Sequence, residues 1–227
     1  MDVLTPQEVA ALREAARPAT YHDGKLVTNN YRLLISFALF TGCRVGEILG
    51  AAWSHIDWES GQFHVRRTFR EGQFQEPKTR TSYRRLSLPT FLLQELKVWR
   101  LTCPNSPYDL IFPNLDGQPM SHSNLMRRGF FPALQRAGIR RIRFHDLRHT
   151  FASLMISNGE DIVRVSRLMG HATASFTLNV YSHMLPREHD PSGDRLARLV
   201  FGNKMETVAN PPMPQERPSA ENFSKSA

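Results

Sequence analysis

Residues 141–157 read RIRFHDLRHTFASLMIS, and this stretch sets the fold class. From His145 the apolar positions Leu147, Phe151, Leu154 and Met155 recur at helical spacing, and Asn158-Gly159 supplies a stop. The segment therefore predicts a helix from about His145 to Ser157 that is half apolar, yet its first turn carries His145, Asp146, Arg148 and His149. His145 and His149 stand four apart and share a face, the spacing of a metal pair, but no carboxylate or third histidine stands at ligand spacing beside them. Arg140, Arg141 and Arg143 just before the helix form a basic run: a solvated loop, a contact to a polyanion's backbone that positions the protein without reading sequence, or a self-assembly surface.

Downstream the pattern stays helical. Glu160 to about Met169 forms one helix with an acidic start, about Ala174 to His183 a second, and 194–201 a third, amphipathic piece bearing Leu196, Leu199 and Val200. Upstream, Thr5, Pro6 and Glu8 make a capping box with Pro at its first position, stapled by Leu4 and Val9. Residues 17–30 read as loop, Tyr31 to Phe40 as an apolar helix ending at Thr41-Gly42, and Arg44 to Leu49 as a short helix. Between them and a helix at about Phe91–Leu101 lies a β region. Phe63, Val65, Thr68 and Phe69 mark one strand, Arg85–Leu88 another, and a long loop holds Glu76-Pro77-Lys78-Thr79. A loop-rich stretch, 102–120, precedes a helix over Ser123–Ala137 closed by Gly138. The predicted fold class is mainly α with a small antiparallel β-sheet (α+β). The predicted domain covers residues 1–202, and the Pro-rich polar segment 203–227 reads as a disordered tail. No internal repeat is present.

Composition narrows the function. The 227 residues are 41% hydrophobic and 22% charged, as in an ordinary globular chain. No run of eighteen apolar residues and no secretion signal is evident, so a cytoplasmic location is expected, with Cys43 and Cys103 as free thiols. The 29 Lys+Arg against 21 Asp+Glu leave a net charge of +8, which favours a polyanionic partner such as nucleic acid.

Four segments carry the chemistry-bearing residues: TGCRVGE (41–47), PKT (77–79), HDLRH (145–149), and GH (170–171) followed ten residues later by Tyr181. With their flanks, TGCRVGEIL, PKTRTSYRRLSLP, FHDLRHTFAS and LMGHATASFTLNVYSH, they resemble the tyrosine recombinase (phage integrase) signature of arginine, lysine, His-x-x-Arg, histidine and tyrosine in that order. The resemblance runs from about Leu4 to Leu185 and implies the catalytic-domain fold of that family. It also implies site-specific DNA cleavage and rejoining through a 3′-phosphotyrosyl intermediate, without metal, cofactor or ATP.

The implied catalytic set is Arg44, Lys78, His145, Arg148, His171 and Tyr181. Arg44 and Arg148 suit a phosphate clamp because a guanidinium grips two oxygens at once and stays ionised. His171 adds a third donor. Tyr181 is the nucleophile, His145 its base, and Lys78, backed by the Lys-Thr-x-x-Ser spacing to Ser82, the acid for the departing 5′-oxygen. Glu47 is expected to orient an arginine or histidine, and His149 to be structural or a helper. Arg80, Arg84, Arg140, Arg141 and Arg143 are expected DNA contacts. The implied partners are double-stranded DNA and, in a full-length protein, further protomers in a tetrameric synapse. The chain begins at what resembles the first catalytic-domain helix, so weak, salt-sensitive DNA binding by a monomer is expected. A type IB topoisomerase uses a similar set, and a non-catalytic DNA-binding regulator is the alternative of another class.

Overall fold

A computed structural model describes residues 2–18, 20–22, 25–77, 82–171, 173–181, 196 and 199–200. The chain divides into two compact units, residues 1–186 and 187–227, and every described site residue lies in the first. In the second, Leu196, Leu199 and Val200 are helical and exposed. The expected boundary at 202–203 and the expected tail lie outside the described residues.

Helix α1 (Pro6–Ala15) starts at the expected capping box: Glu8 N–H donates to Thr5 Oγ1 at 3.2 Å and Thr5 N–H to Glu8 Oε2 at 2.8 Å. Residues 17–30 are not all loop. Strands β1 (Thr20–His22) and β2 (Lys25–Thr28) pair antiparallel there. Helix α2 (Tyr31–Thr41) is buried on nearly every face, and it crosses both α1 and helix α7 (Asp146–Ser157). Leu33, Leu34, Ile35, Phe37 and Ala38 make α2 the axis of the core. The Leu4 N–H donates to Thr150 Oγ1 at 3.1 Å, which ties the entry to α1 onto α7.

Gly42 ends α2 in the left-handed conformation, φ 62°, which only glycine adopts without penalty. A β-carbon there would stand 2.4 Å from a Phe151 ring carbon. Gly42→Ala therefore combines a backbone cost of roughly 1–2 kcal/mol with an overpacking cost of about 1–3 kcal/mol. Urea unfolding is expected to show a midpoint well below wild type; an unshifted midpoint would mean that Phe151 does not pack there.

Helix α3 (Val45–Leu49) follows, then a 3₁₀ turn at Trp53–His55. The sheet has three antiparallel strands in the order β3 (Ile56–Asp57), β4 (Gln62–Val65), β7 (Arg84–Ser87). Phe63 pairs with Leu86 and Val65 with Arg84. The single strand expected through Phe69 is instead interrupted. β5 (Thr68–Arg70) leaves the sheet and turns at Glu71-Gly72 into β6 (Gln73–Gln75), a separate hairpin packed on α3. Helix α4 (Thr90–Thr102) buries Leu92, Leu96 and Trp99, and the Trp99 indole donates to Ile111 O at 2.7 Å.

The helix expected over 123–137 is interrupted. A turn α5 (His122–Asn124) runs into a π-helical stretch, Leu125–Phe130, and then α6 (Phe131–Arg136). Helices α8 (Ile162–Met169) and α9 (Ala174–Tyr181) close the unit against α7. A small second core forms there from Phe151, Ala152, Ile156, Val165, Met169 and Tyr181. Among the described residues no helix is long and apolar enough to cross a membrane.

Candidate active site

The site forms where the starts of α3 and α7 meet the end of α8. Arg44 is the N-cap of α3, and its own N–H donates to Glu47 Oε2 at 2.8 Å, so the acidic residue satisfies the helix start. The Arg44 guanidinium donates to Glu47 Oε1 at 3.1 Å and to Gly170 O at 3.4 Å. Its side chain keeps 40% exposure, leaving donors directed to solvent.

Arg148 sits in the first turn of α7 and is buried, with 2% exposure. It donates to Gly42 O at 2.7 Å and to Met169 O. Burial, then the charges of Arg44 and Arg84, lower its pKa to about 9. Negative charge placed beside this guanidinium would offset those two causes.

The left-handed Gly170 ends α8, and His171 follows it. His171 Nδ1 lies 2.8 Å from Thr177 Oγ1 on α9. Burial first, then Arg148 and Arg44, lower its pKa to about 4. Tyr181 is fully buried on α9, its hydroxyl 2.6 Å from His149 Nδ1. Burial raises the phenol to about 12, against the pull of Arg148. His149 also falls to about 4, chiefly through burial and then through His145.

His145 meets His149 edge-on, ring centroids 5.0 Å apart. Its pKa is lowered by partial desolvation and then by Arg148 and Arg44. Beside Arg44 and His145 opens a cleft of about 750 Å³ whose walls include Phe69, Arg70 and His122.

The structure thus brings Arg44, Arg148, His145, His171 and Tyr181 around one locus. Lys78 and Arg80 lie outside the described residues. The ring nitrogen on the phenol belongs to His149, not to His145, the expected base. The reason is helical: His149 lies one turn further along α7, on the side where α9 packs. Glu47 is buried between two arginines, and both bond it. Burial alone would raise its carboxyl, but Arg84, then the Arg44 N–H and guanidinium, outweigh this and hold it below the ordinary value.

Arg84, expected at the DNA, is turned inward: its side chain is 6% exposed and ion-paired with Glu47 at 2.8 Å. Of the other expected DNA contacts, the three that are described engage their own chain. Arg140 pairs with Glu8 at 2.7 Å, Arg141 stacks 4.2 Å over Phe131, and Arg143 pairs with Asp146 at 2.8 Å. Thr177 and the carbonyls of Met169 and Gly170 were not anticipated. Thr177 at i+6 from His171 carried no signal of its own, and carbonyl partners leave no side-chain signature. Among the described residues no group of three or more His, Cys, Asp or Glu could hold a metal ion.

The three low histidines set a stability window. Unfolded, a histidine has pKa about 6.5. Folded, His55, His149 and His171 lie at about 4, burial being the first cause for each. Between these values the unfolded chain binds more protons, so stability falls as pH drops from about 6.5 to 4 and levels off above. Thermal melting at pH 7 and pH 5 is expected to show a lower Tm at pH 5; equal values would mean that these rings are protonated in the folded protein.

Solved structures share this architecture. The fold matches the Tn1549 transposon integrase bound to circular-intermediate DNA, with TM-score 0.69, 19% identity, and coverage of 87% of this chain and 67% of that one. It also matches the catalytic domain of bacteriophage HP1 integrase, with TM-score 0.55, 20% identity, and coverage of 92% of this chain and 99% of that one. The fold is that of a tyrosine recombinase catalytic domain. The chain belongs to the phage integrase family, whose pattern residues 2–188 match. Among named relatives, a tyrosine recombinase XerD of Bifidobacterium longum is 31% identical over 189 residues, covering 82% of this chain and 59% of that protein. A XerC-like tyrosine recombinase of Caldanaerobacter subterraneus subsp. tengcongensis is 26% identical over 226 residues, covering 88% of this chain and 55% of that protein. The chain therefore spans somewhat over half the length of these relatives.

Proposed function

We propose that this domain breaks and rejoins DNA strands for site-specific recombination, with Tyr181 as the nucleophile. One observation carries the reading: Arg44, Arg148 and His171 are gathered at the end of α8, and Tyr181 packs in the small core to which α8 contributes Val165 and Met169. In cleavage the Tyr181 oxygen attacks phosphorus and the bond to the 5′-oxygen breaks. The extra negative charge on the non-bridging oxygens meets the preorganised guanidinium donors. The phenol proton passes to a histidine. His145 has that role by family resemblance, while His149 is the ring within reach of the phenol here. Lys78 protonates the departing oxygen. Reversal by another 5′-hydroxyl reseals a strand, because the phosphotyrosyl ester retains the energy of the broken bond.

The buried phenol marks a resting state. At pKa about 12 only about one Tyr181 in 10⁵ is ionised at pH 7. Binding DNA must therefore move α9 or bring the phosphate to it. Exposed arginines such as Arg141 and Arg143 contact the DNA backbone. The partner is duplex DNA in the cytoplasm, and a tetrameric synapse is the assembly in which a full-length protein would act.

The test is a nicked suicide duplex that loses its 5′-hydroxyl fragment after cleavage. A covalent adduct whose peptide map places the DNA on Tyr181 is expected. Adduct on another residue, or none on any nicked recombination-site duplex, would overturn the reading.

A further inference from the structure

The three carbonyls at the end of α8 are each taken by a different arginine. Arg84 Nε donates to Leu168 O at 2.5 Å, Arg148 to Met169 O, and Arg44 to Gly170 O at 3.4 Å. A helix C-terminus leaves its last carbonyls unbonded and carries partial negative charge, so a guanidinium there is doubly favoured. Two of the three arginines are those assigned to the phosphate. The third, Arg84, comes from strand β7 and turns away from solvent.

Arg84 spends its whole fork inside the protein. Its Nη1 and Nη2 reach Glu47 Oε1 and Oε2 at 3.0 and 2.8 Å, while Nε takes Leu168 O. Glu47 in turn holds Arg44. One planar group therefore joins the sheet, the carboxylate behind the first clamp arginine, and the turn that delivers His171.

We propose that Arg84 is a positioning residue of the strand-cleavage site, fixing the end of α8 and the Glu47 carboxylate so that Arg44, Arg148 and His171 converge on one phosphate. The inference rests on the cleavage function proposed above. It gives Arg84 a role inside the protein in place of the DNA contact expected for it. Geometry rather than charge is what Arg84 supplies. A lysine would keep the charge but could not bond two carboxylate oxygens and a carbonyl in one plane.

The experiment compares wild type, Arg84→Lys and Arg84→Gln on the nicked duplex. Single-turnover cleavage at saturating DNA, DNA affinity and Tm are each recorded. Small displacements of catalytic groups cost about 100-fold in rate. Both variants are expected to cleave about 100-fold more slowly, with affinity within about threefold of wild type and cooperative melting. Arg84→Lys cleaving within about threefold of wild type overturns the proposal, since charge alone would then suffice. A rate loss matched by an equal loss of affinity overturns it in favour of a DNA contact. Should either variant fail to fold, wild type still decides. By ¹⁵N NMR the Arg84 Nε–H is expected to exchange slowly, and exchange as fast as that of exposed arginines overturns the anchor. A wild type that forms no adduct refutes the cleavage function instead, and the exchange measurement then judges the anchor separately.

Discussion

Tyr181→Phe is expected to abolish covalent attachment to DNA while leaving the domain folded. The substitution removes one atom, the oxygen that would carry the DNA. The ring itself is fully buried with Phe151, Ile156, Val165 and Met169, and phenylalanine fills the same volume. What is lost is the hydroxyl bond to His149 Nδ1 at 2.6 Å. Such a bond contributes about 1 kcal/mol net, and His149 is half-buried, so water can replace the partner. The expected result is no SDS-stable adduct at any time point, with Tm within a few degrees of wild type and DNA affinity unchanged. Adduct in undiminished yield would transfer the nucleophile to another residue.

Much of this arrangement was legible in the sequence because it is local. The capping box at Thr5, the Gly42 stop of α2, the start of α7 near His145 and the Gly170 end of α8 each follow from residue type at a helix boundary. The hairpin β1–β2 was also legible in principle. Asp23-Gly24 between Tyr21-His22 and Lys25–Thr28 is a two-residue turn signal. The polar residues around it mask the alternation of the two short strands. Arg84 is a sharper case. Residues 84 and 86 share a face of their strand, and Leu86 is a core residue. Strand parity alone therefore turns Arg84 inward, where a buried cation needs a carboxylate or carbonyls to bond.

Other features were not legible at all. The π-helical interruption at Leu125–Phe130 leaves no period in the sequence distinct from that of an α-helix. The carbonyl partners of Arg44, Arg84 and Arg148 come from backbone atoms, which carry no sequence signature. The choice between His145 and His149 at the phenol depends on how α9 packs across α7, a long-range outcome of the second core.

Arg148→Gln is expected to lower the cleavage rate by at least about 10³-fold without unfolding the domain. Removing a single preorganised donor from a developing oxyanion costs about 10²–10³-fold in rate. Arg148 additionally bridges Gly42 O, before the first clamp arginine, and Met169 O, before Gly170-His171. Its loss therefore loosens both neighbours. Stability is a separate matter. In the resting protein this cation is buried and pressed by Arg44 and Arg84, which is why its pKa falls to about 9. A neutral glutamine forfeits two hydrogen bonds but relieves desolvation and like-charge repulsion, so the net change in unfolding free energy is expected within about 1 kcal/mol. Arg148→Lys keeps a charge yet reaches one carbonyl at most, and its rate is expected to stay at least about 10²-fold below wild type. The decisive comparison is single-turnover cleavage beside urea unfolding. A variant that melts like wild type and cleaves within tenfold of it would show that the phosphate never meets this guanidinium. The opposite pattern, near-native melting with cleavage nearly gone, is what a destabilised charge kept for the transition state produces.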